Sequence, residues 1–146
     1  MKTEKLTPQD FKENLLNQHR QQLWAVQINK SRQGDLLNKM INEIRPALEL
    51  NVENLKIKIE ELSHSHKAQD TQLRRKHESA LKEAELNLEN QNKEIELTDA
   101  KLNGGNIPIT NKAGKVEYQQ TPGLLTQEQQ IIEVIDLIKR AKLSNE

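Results

Sequence analysis

The sequence lacks cysteine and contains few of the large side chains that fill compact globular cores. Only three of its 146 residues are aromatic, and only five are glycine and four proline. The absence of cysteine excludes disulfide bonds, thiolate metal sites and cysteine nucleophiles. The scarcity of aromatic residues argues against a compact fold, because each buried aromatic ring supplies about 150–250 Å² of core surface. The Leu, Ile and Ala that remain, set among charged and amide residues, favour long helices.

The chain also lacks an excess of charge and a long apolar run. Its 22 basic and 22 acidic residues cancel, whereas nucleic-acid-binding domains usually carry a basic excess that neutralises phosphates. No stretch approaches the roughly 20 apolar residues of a membrane helix. The first ten residues have no apolar segment of the kind found in signal peptides. We therefore expect a cytoplasmic protein that does not associate with a membrane.

The strongest positive signal is a stripe of apolar residues spaced three and four apart from Val52 to Leu102. No proline or glycine interrupts this segment. Such a stripe is buried only against another helix, which predicts one unbroken coiled-coil helix over residues 47–102. Its distal part is expected to pair with a second copy, a dimer being favoured. The predicted oligomer interface consists of seam residues, namely Leu81, Ala84, Leu88, Gln91, Ile95 and Leu102.

Shorter helices are predicted before this long helix. Thr7 and Pro8 are typical of a helix start, and Gly34 is typical of a helix stop. These signals predict helices over residues 8–31 and 35–45 that fold back on the long helix as a helical hairpin. The two aromatic side chains of the first helix, Phe11 and Trp24, are expected to fill the core between helices.

Three domains are predicted from these elements. Residues 1–45 form the N-terminal helices, residues 46–102 the long coiled-coil helix, and residues 103–146 a module that docks on a partner. Pro46 marks the first boundary, where a break or kink is expected because proline lacks an N–H and clashes with the preceding turn. The expected fold class is therefore mainly α, an elongated helical hairpin or coiled coil with a small β-hairpin and a C-terminal amphipathic helix.

The C-terminal module combines two patterns. Apolar residues alternate on both sides of a short loop, which predicts a β-hairpin over residues 107–119 with Thr110 paired to Lys115. Thr126 begins a capping-box pattern that predicts a helix over residues 126–142. An isolated hairpin is marginal in water, so this module is expected to dock on another surface. The predicted partner-binding residues are Ile107, Ile109, Val116, Tyr118, Ile131, Ile135 and Ile138.

No pattern in the sequence points to catalysis, a cofactor or a metal. The carboxylates are spread along helices instead of being paired in a pocket, and His64 and His66 point to different sides of a helix. The leading hypothesis is a non-enzymatic scaffold or adaptor that self-associates and binds a protein partner. The Asn-, Lys-, Ile- and Gln-rich composition suits a bacterial or phage-type protein, so the hypothesis includes a larger, phage-type particle as the alternative to a single protein partner. The alternative is a dimeric nucleic-acid-binding regulator that uses Arg74, Arg75 and Lys76, a cluster otherwise explained as a solvated helix face.

Overall fold

A computed structural model describes residues 7–141 of the chain. The fold is mainly α, with long helices, a small antiparallel β-hairpin and a C-terminal helix, as the sequence predicts. The elements in chain order are α1 (Pro8–Lys39), a π-helical turn (Met40–Ile44), α2 (Arg45–Leu62), α3 (Ala68–Asn103), β1 (Gly105–Thr110), β2 (Val116–Thr121) and α4 (Leu124–Arg140).

Contacts along the chain define two compact units. Unit 1 comprises Met1–Gly34 with Ala100–Glu146, of which residues 7–34 and 100–141 are described. Unit 2 comprises Asp35–Asp99. Unit 1 therefore holds most of α1, the β-hairpin and α4, whereas unit 2 holds α2 and most of α3. The assignment of residues 103–146 as a docking module stays a prediction.

Unit 2 is a helical hairpin in which α2 and α3 bury their apolar stripes against each other. Val52 and Leu55 of α2 form a buried cluster with Ala84 of α3. Leu81 and Leu88 pack against this cluster from the same stripe of α3. Two helices joined by a short loop are the helical counterpart of a β-hairpin. The stripe recognised in the sequence is thus covered by a neighbouring helix, and this neighbour belongs to the same chain.

The prediction of one unbroken helix over residues 47–102 is wrong, because the chain turns between Leu62 and Ala68. The Ser63 hydroxyl donates a hydrogen bond of 2.7 Å to the carbonyl of Glu60. The Ser65 hydroxyl donates one of 2.6 Å to Asp70 Oδ2 in the first turn of α3. Serine side chains that form hydrogen bonds with nearby backbone or side-chain groups compete with the backbone hydrogen bonds that would continue a helix. Moreover, only one apolar residue, Ala68, lies between Leu62 and Leu73, so a helical turn here would bury almost nothing.

The predicted helix stop at Gly34 is also wrong, whereas the regular α-helix is interrupted next to Pro46, where a break or kink is predicted. Helix α1 continues through Gly34, since one glycine costs a helix only about 1 kcal/mol and the apolar stripe continues beyond it. At Pro46 the chain stays helical through the preceding π-helical turn, in which the Arg45 N–H donates to the Met40 carbonyl. An i to i−5 bond widens this turn. We infer that the wider turn makes room for the proline ring, which would otherwise clash with the carbonyl four residues earlier.

Unit 1 is held together by packing of α4 along α1. Lys30 of α1 pairs with Glu128 near the start of α4, with 2.9 Å between Nζ and Oε2. At the other end of α4, the Lys12 ammonium donates hydrogen bonds of 3.2 Å to the carbonyls of Lys139 and Ala141. The two helices therefore run antiparallel. Leu16 of α1 and Ile135 of α4 are buried within this unit.

Most helix ends in unit 1 follow the sequence signals. Thr7 and Asp10 exchange hydrogen bonds of 3.1 and 3.2 Å between side chains and backbone N–H groups, a reciprocal cap at the start of α1. Helix α3 ends at Asn103 as predicted. Helix α4, however, begins at Leu124 after Gly123, and Thr126 lies inside it. The predicted cap at Thr126 is therefore wrong, and α4 ends at Arg140, two residues before the predicted end at residue 142, which itself lies outside the described residues.

Candidate functional site

The β-hairpin is the most exposed element of unit 1, and its loop determines how its side chains are arranged. The Asn111 N–H donates to the Lys115 carbonyl at 2.9 Å, which closes a loop of residues 112–114. The Asn111 side-chain oxygen also accepts the N–H groups of Ala113 and Lys115. Gly114 supplies the positive φ of 79° that such a loop requires. Asparagine and glycine thus make this loop one residue shorter than the predicted loop.

This shorter loop shifts the strand register by one residue from the prediction. Asn111, not Thr110, faces Lys115, and Thr110 pairs with Val116. Ile107 and Ile109 pair with Gln119 and Glu117, as the register of the ladder shows. Because a slip of one residue moves side chains to the opposite face, the predicted single apolar face is wrong. The four apolar residues are divided between two faces.

One face of the hairpin carries no charged residue. It consists of three directly opposed pairs, namely Asn106 with Gln120, Pro108 with Tyr118, and Thr110 with Val116. Tyr118 is 72% exposed and Val116 is 57% exposed. We call these six residues the tyrosine face. In the part of the chain that the structure describes, each strand has only one neighbour, so the outer edges of both strands retain free backbone groups.

The hairpin is anchored at its base by a close approach of two glycine backbones. Gly104 follows the end of α3 with φ of 92°, and Gly123 precedes α4 with φ of 83°. A Cβ on Gly123 would overlap the backbone of Asn103 and Gly104, and a Cβ on Gly104 would lie 2.8 Å from the Pro122 carbonyl oxygen. The tyrosine face therefore projects from a junction with no room for side chains.

The structure divides the predicted partner-binding residues into two groups. Tyr118, Val116 and Ile109 are exposed on the hairpin, and Ile107 is half-buried. Of the three predicted contacts on α4, Ile135 is buried, and the other two, Ile131 and Ile138, are half-buried. An amphipathic helix face is equally suited to its own chain and to a partner, and here α4 lies along α1. Ile135 is therefore not accessible to a partner, whereas binding of a partner by Ile131 and Ile138 stays a prediction.

The predicted oligomer interface is also covered within the chain. Leu81, Ala84 and Leu88 pack with α2, and Ile95 is buried. Gln91 and Leu102 are half-buried. Because the hairpin of α2 and α3 already covers this stripe, a second copy is not needed to explain it. Pairing between copies through this stripe stays a prediction without a free surface to support it.

The basic cluster on α3 is partly compensated by an acidic neighbour. Arg74 Nε lies 3.5 Å from Glu78 Oε1, one helical turn later. Arg75 and Lys76 are exposed. An exposed ion pair of this kind contributes about 0.2–1 kcal/mol, and it lowers the local positive potential. No observation on this cluster favours nucleic acid over solvent.

The sequence prediction that Phe11 and Trp24 fill a core is wrong, since their side chains are 63% and 67% exposed. Trp24 lines a shallow depression on α1 together with Ala25, Ile28, Asn29 and Arg32. A signal for this surface exists in the sequence. Arg20, Trp24, Ile28 and Arg32 follow one another at intervals of four residues, which places them in a single row along a helix.

Comparisons with known proteins add no assignment to these surfaces. No protein-family model, curated protein or solved structure matches the chain. Among residues 7–141, no helix has both the length and the apolar content needed to cross a bilayer. Within the same range, no group of three or more His, Cys, Asp or Glu side chains is arranged to hold a metal ion.

Proposed function

We propose that this protein is a non-enzymatic adaptor or assembly protein that self-associates and binds a protein partner or a larger protein particle. The observation that carries this proposal is the tyrosine face of the β-hairpin. Tyrosine is favoured at the centres of interfaces because it buries a large area with few rotatable bonds. Here Tyr118 stands 72% exposed beside Pro108 on a surface without charge.

The form of the hairpin supports a protein partner in particular. An extended segment of a partner can add to a free strand edge through backbone hydrogen bonds, with side-chain contacts giving specificity. Uncharged residues on the adjoining face lower the desolvation cost of such a contact. The close approach of the backbones at Gly104 and Gly123 limits the movement of the hairpin base, which would reduce the entropy lost when the hairpin binds.

Site-specific photo-crosslinking in the native host tests this proposal. A photoreactive phenylalanine analogue replaces Tyr118 in one variant and Gln119, on the opposite face of the same strand, in the matched control. We expect a covalent adduct with one protein, identified by mass spectrometry, for position 118 and a much weaker adduct for position 119. Substitution Val116→Asp beside the probe should reduce this adduct at least tenfold, since a buried unpaired charge costs several kcal/mol.

Two results would contradict the proposal. Equal adducts from both positions would mean that the hairpin meets proteins only by random collision. An adduct that survives Val116→Asp unchanged would mean that the tyrosine face is not the binding surface. Circular dichroism of each variant establishes that the helices remain folded.

A further inference from the structure

One row of side chains on α1 in unit 1 has two apolar residues at its centre and an arginine at each end. Its row is Arg20, Trp24, Ile28 and Arg32, which we call the tryptophan ridge. At 1.5 Å per residue, the two arginines lie about 18 Å apart along the helix. Rows of residues four apart are the ridges that pack into grooves of other helices. Trp24 is 67% exposed, so the described residues leave most of its side chain uncovered.

The charge around the tryptophan ridge is of one sign. No Asp or Glu occurs between Glu13 and Asp35. Lys30 pairs with Glu128 of α4, whereas no carboxylate in the described residues lies within 4.0 Å of Arg20 or Arg32. The nearest polar contact of Arg20 is a weak one of 3.5 Å to Asn17 Oδ1. Both guanidinium groups are therefore available to an acidic partner.

A surface of complementary character lies on α2 in unit 2. Leu50 and Ile57 are 61% and 48% exposed, and their spacing of seven residues places them on one side of the helix, away from the buried Val52. Glu53 lies between them, and Glu61 follows Ile57 by one turn. Both carboxylates are exposed, and no cation in the described part of the chain lies within 4.0 Å of either. We call these four residues the acidic ridge.

We infer that the tryptophan ridge of one copy docks on the acidic ridge of a second copy of this chain. This inference rests on the proposed self-association and names the surfaces that produce it. Trp24 and the half-buried Ile28 of one ridge meet the exposed Leu50 and Ile57 of the other. The arginines of the first ridge meet the glutamates of the second. Two tryptophan ridges would bring four arginines together, so the contact joins unlike surfaces. Complementary charge also steers association and excludes wrong pairings.

The size of the contact favours a reciprocal dimer. A stable interface buries about 800 Å² on each partner, more than a single pair of four-residue ridges supplies. In a dimer of two copies, each tryptophan ridge meets the acidic ridge of the other copy, so the contact forms twice. Because Trp24 is the only tryptophan of the chain, its fluorescence reports burial of the ridge directly.

A charge-swap experiment on the full chain tests this inference. The double variant Arg20→Glu with Arg32→Glu makes both ridges acidic, and Glu53→Arg with Glu61→Arg makes both basic. We expect light scattering to give about twice 16.9 kDa for the unchanged chain and 16.9 kDa for each variant alone. The dissociation constant should rise about tenfold or more, since attractive pairs become repulsive. The Trp24 emission should shift to longer wavelength in each variant.

Mixing the two variants is the decisive step. In the mixed dimer, the glutamates introduced at positions 20 and 32 of one variant face the arginines introduced at positions 53 and 61 of the other. The unchanged arginines and glutamates form the second contact, so both contacts are attractive again. We expect the mixture to recover the dimer mass and the shorter emission wavelength. Arg75→Glu with Lys76→Glu in α3 is the matched control for Arg20→Glu with Arg32→Glu, because it replaces two exposed cations outside both ridges by glutamate. This control should keep the dimer mass of the unchanged chain.

The inference is overturned if the unchanged chain is a monomer, if either variant keeps the dimer mass, or if the mixture stays monomeric. A monomeric unchanged chain that still gives the Tyr118 adduct would exclude the ridge contact and leave partner binding by the hairpin standing. A dimer that is recovered on mixing, without any Tyr118 adduct, would support the ridge contact and exclude partner binding by the hairpin. Helix content measured by circular dichroism shows that the exposed substitutions have not unfolded either variant.

Discussion

At the scale of single residues, glycine plays two opposite roles in this chain. Gly123 has φ of 83°, and a Cβ there would overlap the backbone of Asn103 and Gly104. Gly34 lies inside α1, where a Cβ would meet nothing within 4 Å. The first glycine is required by the junction beneath the hairpin. Gly34 is not required by the structure of α1, and it lowers stability because glycine gives the unfolded chain more conformational freedom.

Alanine substitutions should therefore change stability in opposite directions. Gly123→Ala should lower the free energy of unfolding by about 1–3 kcal/mol, because it places a Cβ against the backbone in a strained conformation. Gly34→Ala should raise it by about 0.5–1 kcal/mol through helix propensity. Denaturant unfolding followed by circular dichroism measures both. A tolerated Gly123→Ala would contradict the close approach of the two backbones at the hairpin base.

At the scale of elements, the sequence predicts which segments form helices and strands better than where they bend. Thr7 and Pro8 mark the start of α1, and Asn103 marks the end of α3, because capping depends on a few adjacent residues. The turn at residues 63–67 was missed because it depends on what a helix would bury there. A helix between Leu62 and Leu73 would bury almost no apolar surface, because Ala68 is the only apolar residue there.

Glycine misleads the prediction at Gly34, where α1 continues past a residue that is typical of a helix stop. At Pro46 a break or kink is predicted, and a π-helical turn interrupts the regular α-helix there while the chain stays helical. In the hairpin, the register depended on whether Asn111 belonged to the loop or to the strands. Its backbone bond to Lys115 decides this, and alternation of apolar residues alone does not.

The sequence predicts some residues of the candidate surfaces and places others wrongly. Tyr118 is among the predicted partner-binding residues, and the structure leaves it 72% exposed on the hairpin. Trp24 was assigned to a core, since a helix offers several faces and the sequence does not state which one is covered. The position of α4 along α1 settles this, and it depends on contacts such as Lys30 with Glu128 that lie far apart in sequence.

The pairing of α2 with α3 predicts a difference between two otherwise similar leucines. Leu55→Ala should lower the free energy of unfolding by about 2–5 kcal/mol, because it leaves a cavity in the cluster with Ala84. Leu86→Ala in α3 removes the same atoms from a side chain that is 54% exposed, and it should cost less than about 0.5 kcal/mol. Equal costs in urea unfolding would mean that the cluster does not stabilise the helical hairpin.

At the scale of the whole molecule, apolar residues serve two separate purposes. One set holds each unit together, as in the cluster of Val52, Leu55 and Ala84. Another set remains at the surface, and no large side chain in the described ranges is completely buried. Aromatic and aliphatic residues at the surface beside free strand edges or charged ridges favour a protein that works by contact with other proteins.

The central claim is that α2 and α3 cover each other within one chain, which leaves the hairpin and the outward ridges to other molecules. Methyl NMR with isotope filtering measures this most directly, by comparing a uniformly labelled sample with an equimolar mixture of labelled and unlabelled chains. We predict nuclear Overhauser effects between the methyl groups of Leu55 and Ala84 in the uniform sample and no transfer between labelled and unlabelled chains at these methyls. Strong transfer between chains in the mixed sample would contradict the account, because the seam would then join two copies.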